Sequence, residues 1–272
     1  MIKNKFSVVI VTFNRSRELL FALNSVLNQK FKPSEIIIIN NYKNKINKKI
    51  LGVNSKKIKI INLKKNLHCA RGRNLGVKKS HCKYIAFLDD DDQWDHEYLF
   101  KANTIINNNN PDAILTNVYK LNSKKEILKK ISRPNIQECF VRNPGCMGSN
   151  LIIKKEKFKK LNGFNQNYIP AEDREFLVRM LLNKFKISIS NSKMFYNEEN
   201  MTSISKNLSL TLNGHTKILI KYKKYINFKN MMFIKFKLNK IQYLINKNYI
   251  AKFFYLLNAI KYYLIHKIIK LK

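Results

Sequence analysis

The sequence predicts an α/β fold, a mostly parallel sheet flanked by helices and followed by a basic helical extension. Three observations predict it. Short continuous apolar runs, the mark of strands buried on both faces, alternate with segments of helical periodicity. Polar residues able to do chemistry gather where those runs end. Beyond Glu199 no further Asp or Glu occurs, and Lys is interleaved with Tyr, Phe and Ile.

Phe6–Thr12 (FSVVIVT) is an uninterrupted apolar run and opens the sheet. Ser16 is placed to cap the next helix, where Leu19, Leu20, Leu23, Val26 and Leu27 recur at helical spacing. Glu35–Ile39 (EIIII) is a second buried strand, and Lys57–Leu63 a third, shorter and alternating. Ala70–Lys79 reads as a helix. Tyr84–Leu88 (YIAFL) is a fourth strand that runs straight into Asp89–Asp92. Asp95–Asn107 reads as a helix and Ala113–Asn117 as a further strand. This βαβα rhythm implies ligands at the carboxyl ends of the strands. The chain divides near residue 200. In the second part Ile250, Phe253, Phe254, Leu257, Ile260, Leu264 and Ile268 fall on one helical stripe. That stripe is either a packing face or the face of an interfacial helix on an anionic bilayer.

The 272 residues carry 53 Lys+Arg against 17 Asp+Glu, a formal net charge of +36. Hydrophobic residues at 45% exclude a disordered chain, and seven Gly and five Pro exclude collagen-like and Pro-rich architectures. Lys outnumbers Arg 45 to 8, and Lys, Asn and Ile together make 117 residues, so part of the charge reflects a bias toward A/T-rich codons. The Lys43–Lys49 and Lys154–Lys160 runs are either solvated faces or attractors of an anionic partner. Cys69, Cys82, Cys139 and Cys146 show no CxxC pair and no metal spacing, and read as reduced thiols of a cytoplasmic protein. Met1–Lys5 leads at once into a strand, with no cleavage pattern of a signal peptide. No stretch of about 18 uncharged apolar residues reads as a transmembrane helix.

Two acidic clusters carry the chemistry. Asp89–Asp92 places four carboxylates at the end of a buried strand, where mutual repulsion raises their pKa values. A divalent cation such as Mg²⁺ or Mn²⁺, bound jointly with phosphate oxygens, relieves that repulsion. The rival reading is an acidic turn that caps the helix at Asp95. Glu172-Asp173 opens a second helix, marked by Phe176, Leu177, Met180 and Leu181. These carboxylates either cap that helix or supply a general base that takes a proton from a hydroxyl.

Taken in order, these residues resemble the family 2 glycosyltransferases, which have the GT-A fold with its Rossmann-like sheet. Ser7–Arg15 resembles the opening strand and its polar exit. Asn66–Val77, with Arg73-Asn74-x-Gly76, resembles the family's Arg-Asn segment. Tyr84–Trp94 resembles the strand and the DxD site, here Asp89-x-Asp91. Gly148-Ser149-Asn150 with Leu161-Asn162-Gly163-Phe164 resembles the acceptor-side region, and Glu172-Asp173 the ED motif. The resemblance covers roughly residues 5–185. It implies a nucleotide-sugar-binding half (about 1–95) and an acceptor-side half (about 96–200), with 201–272 outside it. Asp91 and Asp89 are implied as metal ligands, with Asp92 in support. Thr12, Asn14, Arg15, Asn40, Asn41, Arg73, Asn74, Asp89 and Asp90 are implied at the nucleotide-sugar. Asp173 is implied as the base and Glu172 as the residue orienting the acceptor. The donor expected is a UDP-sugar, and the acceptor a glycan or lipid-linked saccharide of surface polysaccharide synthesis. The enzyme is expected in the cytoplasm, with 217–272 either packing on the catalytic domain or holding it peripherally at the anionic inner face of the cell membrane.

One departure stands out. Asn40-Asn41 occupy the place where the family usually carries an Asp pair. Asn keeps a carbonyl acceptor and adds a donor, so uracil can still be read. Of three rival functions, two fare worse. A nucleotidyltransferase needs a Gly-rich loop after the first strand, and Thr12-Phe13-Asn14-Arg15 has no glycine. A specific nucleic-acid binder needs Arg-rich or aromatic-platform motifs, which are absent. The third, a membrane-binding structural protein with an ornamental acidic run, stays open, and a metal-dependent sugar-nucleotide hydrolysis assay separates it from an enzyme.

Overall fold

The computed structural model describes residues 4–53, 55–123, 126–198 and 207–271. The order is β1 (Phe6–Thr12), α1 (Ser16–Leu27), β2 (Glu35–Asn40), β3 (Ile58–Asn62), α2 (His68–Lys79), β4 (Tyr84–Asp89), β5 (Gln93–Trp94), α3 (Tyr98–Asn109), β6 (Ala113–Lys120), β7 (Ile127–Lys129), α4 (Ile136–Val141), β8 (Leu151–Lys154), α5 (Lys155–Lys160), α6 (Glu172–Leu182), β9 (Ile187–Tyr196), α7 (Leu208–Tyr222), α8 (Phe228–Ile245) and α9 (Tyr249–Leu271). Two compact units result. One holds the described residues of Met1–Arg133, Pro144–Gln166 and Leu182–Asn200; the other holds those of Pro134–Asn143, Asn167–Leu181 and Met201–Lys272. The boundary expected near residue 200 lies outside the described residues.

The first unit carries the sheet, in the order β3-β2-β1-β4-β8-β6-β9-β5 with β7 beside β6. Strands β3, β2, β1 and β4 are mutually parallel. Beyond them the sheet is mixed: β8 runs antiparallel to β4 and β6, and β9 parallel to β6. Every residue of β1 is buried, as its unbroken apolar run requires, because β1 is central between β2 and β4. Its side chains alternate between two faces. Val8 and Ile10 pack with Leu19, Leu23 and Val26 of α1 and with Tyr98 and Leu99 of α3. Val11 packs on the opposite face with Ile37, Ile39 and Leu75. On that face α2 comes so close that a Cβ at Gly76 would collide with Val9.

Two details differ from the sequence reading. Ser16 does not cap α1: it is the first helical residue, Arg15 holds the cap position, and no side chain bonds there. Arg15 points its guanidinium to the acidic run instead. The third helix starts at Tyr98 rather than Asp95, because Asp95 folds into a turn whose carboxylate accepts the Glu97 N–H at 2.8 Å. No disulfide joins any of the four cysteines, all of which lie among the described residues.

The second unit is helical. Glu175 of α6 is fully buried and binds Arg179, Lys221 and the Tyr222 hydroxyl. Gln137 of α4 receives the Asn227 N–H and the Asn230 amide at the start of α8. The inner side of α9 lies along α8, with Phe236 on Tyr263 (5.3 Å) and Phe233 on His266 (4.8 Å). Among the described residues no helix is long and apolar enough to cross a membrane.

Candidate active site

The register of the parallel strands brings their polar ends to one level: Thr12 opposite Asn40, Asn40 opposite Asn62, and Val11 opposite Asp89. The chain leaves β1 through Asn14 at φ 56, a left-handed conformation that Asn tolerates. This turn aims Arg15 back at the end of β4. The Thr12 hydroxyl donates to Asp90 at 2.7 Å, and Arg15 Nη1 binds Asp90 at 3.1 Å and Asp91 at 2.9 Å. Arg73, buried in α2, binds both oxygens of Asp89 through Nη2 at 2.5 and 2.8 Å. The Asp89 N–H donates to the Ser149 hydroxyl, and the Trp94 indole N–H to the Ser149 carbonyl.

The four aspartates therefore divide. Asp90 and Asp92 are buried, while the Asp89 and Asp91 side chains keep 31% and 16% of their surface exposed. Burial raises the Asp90 carboxyl to about 7; the Asp91 charge adds to the rise, and Thr12 and Arg15 oppose it. Burial likewise pushes Asp92 up, helped by Asp91 and Asp89, while the Asn197 N–H steadies it at 3.2 Å. Arg15 is held above its ordinary value, because Asp90 and Asp91 outweigh the burial that works against its charge. Asp90 and Asp92 brace the turn; Asp89 and Asp91, paired with Arg73 and Arg15, are the two that stay partly exposed.

Those two carboxylates fit a divalent cation. They offer hard oxygen donors, and among the described residues no group of three or more His, Cys, Asp or Glu side chains is arranged to hold a metal alone. A site with two protein carboxylates, completed by phosphate oxygens and water, is the usual way Mg²⁺ is held. The acidic-turn alternative does not describe this run, since the helix-leading turn is served by Asp95.

Beside the cluster lies a hollow of about 120 Å³, lined by Thr12, Asn14, Arg15, Asn40, Tyr42 and Lys45 among others. Asn40 lines it with its amide already engaged: Nδ2 donates to the Asn44 carbonyl and to Asn62, and Oδ1 accepts the Tyr42 N–H. An Asp could make neither donation. Asn41 is buried away from the hollow and meets the start of α2 through Leu67 N–H and His68 carbonyl. The Asn74 amide forms two bonds with the backbone of Phe164, at 2.8 and 2.9 Å, and so anchors a turn instead of joining the cluster.

Gly148 and Ser149, grouped by sequence with the acceptor side, contact the Arg73–Asp89 pair. A Cβ at Gly148, whose φ is +36, would collide with the Arg73 guanidinium. Phe164 gives Arg73 a cation–π contact at 5.4 Å. Tyr42 went unrecognised as a site residue from sequence, and Ser149 was marked only as part of the acceptor-side Gly-Ser-Asn pattern, not as the partner of Asp89.

Glu172 and Asp173 open α6, the expected helix start, and α6 belongs to the second unit with the C-terminal helices. Asp173 Oδ1 accepts the Arg174 N–H at 2.7 Å, and Oδ2 faces Asn143 Nδ2 at 3.5 Å. Glu172 is buried and Asp173 partly exposed. Burial lowers the Arg174 guanidinium to about 10, with Asp173 acting against the fall. Asp173 thus meets the helix-start reading, with Oδ1 on the Arg174 N–H and Oδ2 toward Asn143.

A sheet whose parallel half ends in an Asp-x-Asp turn, clasped by two arginines beside a hollow, is the frame of the GT-A fold. The profile of Glycosyl transferase family 2 matches residues 7–169, and the chain belongs to that family. An uncharacterized glycosyltransferase of Methanocaldococcus jannaschii is 30% identical over 70% of this chain and 69% of its own length. The poly(ribitol-phosphate) beta-N-acetylglucosaminyltransferase TarS of Staphylococcus aureus is 23% identical over 71% of this chain. The chain spans only 35% of TarS, and 24% of an uncharacterized glycosyltransferase of Rickettsia bellii. A crystal structure of S. aureus TarS in complex with UDP-GlcNAc superposes with a TM-score of 0.59 at 17% identity, covering 95% of this chain and 71% of that one.

Proposed function

We propose that this enzyme is a metal-dependent, inverting glycosyltransferase. It moves a sugar from a nucleotide-sugar, a UDP-sugar first, to a hydroxyl of a glycan or lipid-linked saccharide in surface polysaccharide synthesis on the cytoplasmic side of the membrane. The observation that carries this reading is the meeting of Asp89 with Arg73, Asp90 with Thr12 and Asp91 with Arg15 at the strand ends, next to the hollow. The TarS structures with UDP-GlcNAc and UDP support the donor class. The names of TarS and of a Borreliella burgdorferi cholesterol galactosyltransferase, 24% identical over 231 residues, support polymer or lipid acceptors.

In this reading Thr12, Asn14, Arg15 and Asn40 wall the nucleoside, and Arg73 adds positive charge for the leaving diphosphate. Asp91 and Asp89 would hold Mn²⁺ or Mg²⁺, which when bound supplies Lewis-acid neutralisation of that charge. Asp173 takes the proton of the acceptor hydroxyl and Glu172 orients the acceptor. Inversion needs one base and no covalent intermediate.

The test is a sugar-nucleotide screen for hydrolysis and transfer, with Mn²⁺, Mg²⁺ and EDTA arms. Asp91→Ala is expected to abolish turnover. Asp173→Asn is expected to keep donor binding and slow transfer by about 10²–10⁴-fold. Full activity in EDTA removes the metal, and an unchanged rate in Asp173→Asn moves the base elsewhere. Turnover of no sugar nucleotide under any metal condition sinks the reading.

A further inference from the structure

The outer side of α9 is an apolar strip that the fold leaves open. Ile250, Phe253, Phe254, Leu257, Ile260, Leu264 and Ile268 recur at three- and four-residue steps. Each exposes between 48% and 82% of its surface. The inner side is engaged with α8, and Ala259 is buried there, so the helix is anchored and its outer strip is unpartnered among the described residues. The helix of 23 residues is about 34 Å long. Lys261 and Lys267 are exposed on it, and residues 200–272 contain 15 Lys and no Asp or Glu.

That charge pattern chooses the occupant. A second copy would bring an equally basic, acid-free helix against this one, and like charges would oppose the contact. A surface that is apolar beneath and anionic on top satisfies both features at once. Among the described residues no helix can cross a membrane, so the strip lies along a surface and does not span it.

We infer that α9 docks flat on an anionic lipid bilayer. Its Ile, Phe and Leu strip sinks below the headgroups while Lys261 and Lys267 snorkel to the phosphates. This deepens the expectation of a peripheral enzyme by naming the element, the face and the lipid class. It is independent of the catalytic reading.

The experiment is flotation of the full chain with vesicles of phosphatidylcholine alone and of phosphatidylcholine mixed with phosphatidylglycerol, at low and high salt. The parent is expected to float with the mixed vesicles and to stay partly bound when salt is raised. Phe253→Ser/Phe254→Ser/Leu257→Ser changes only exposed positions. It is expected to bind about tenfold more weakly or worse, with the remainder lost in salt. Lys261→Gln/Lys267→Gln is expected to lose preference for the anionic lipid. Equal flotation of the triple variant and the parent overturns the inference, because Lys alone would then explain binding. So does a folded parent that never floats. So does a concentration-dependent oligomer that the triple variant abolishes, which would make the strip a contact between copies. Sugar-nucleotide turnover in the same preparations reports on the transferase separately.

Discussion

Gly148 shows how much of a site can rest on a missing side chain. Its φ of +36 disfavours an L side chain, and a Cβ would press into the guanidinium that binds Asp89. Gly148→Ala is expected to displace Arg73, raise the KM for donor and lower turnover about tenfold or more, at a stability cost of about 1–2 kcal/mol. Steady-state kinetics beside a denaturant titration separates the two effects; unchanged kinetics would show that Arg73 does not need this placement. The aspartates were legible from sequence because four carboxylates at a strand end carry their chemistry in their identity. Ser149 was not, since a serine acquires its role only when the fold sets it against the Asp89 N–H. Asn40 was legible as a departure, but its reason, two donations to Asn44 and Asn62, lies in the folded loop.

Among the elements, α6 is tied into its unit by one carboxylate. Burial would raise the Glu175 pKa, yet Arg179, Tyr222 and Lys221 together hold it below the ordinary value. A depressed carboxylate contributes stability that is present above its unfolded pKa and fades as pH falls through the folded one. Glu175→Gln is expected to cost about 2–3 kcal/mol at neutral pH, with the gap to the parent closing in acid below pH ~4. Urea unfolding at several pH values checks this; a gap independent of pH would assign the loss to packing. The strands of the parallel half were legible because unbroken apolar runs must be buried on both faces. The stripe on α9 was legible as a stripe, but its exposure was not. Periodicity marks an apolar face without saying what covers it, and here α8 takes the opposite side.

At the scale of the molecule, a net charge of +36 attracts any polyanion. Gel shifts with duplex DNA are expected to show weak binding without sequence preference, lost as salt rises. Retention at high salt, or a preferred sequence, would reopen a nucleic-acid role. The charge was plain in the sequence, whereas the grouping of α4 and α6 with the C-terminal helices was not. That grouping depends on contacts between segments far apart in the chain, such as Gln137 with Asn230 and Glu175 with Tyr222.

Trp94 is the only tryptophan in the chain. It is stacked on Tyr98 with ring centres 4.2 Å apart, and its indole is tied to the residue that receives the Asp89 N–H. The protein therefore carries a built-in optical reporter at the aspartate turn. Excited beyond the absorption of the 13 tyrosines, its emission comes from that one corner, without any dye or engineered label.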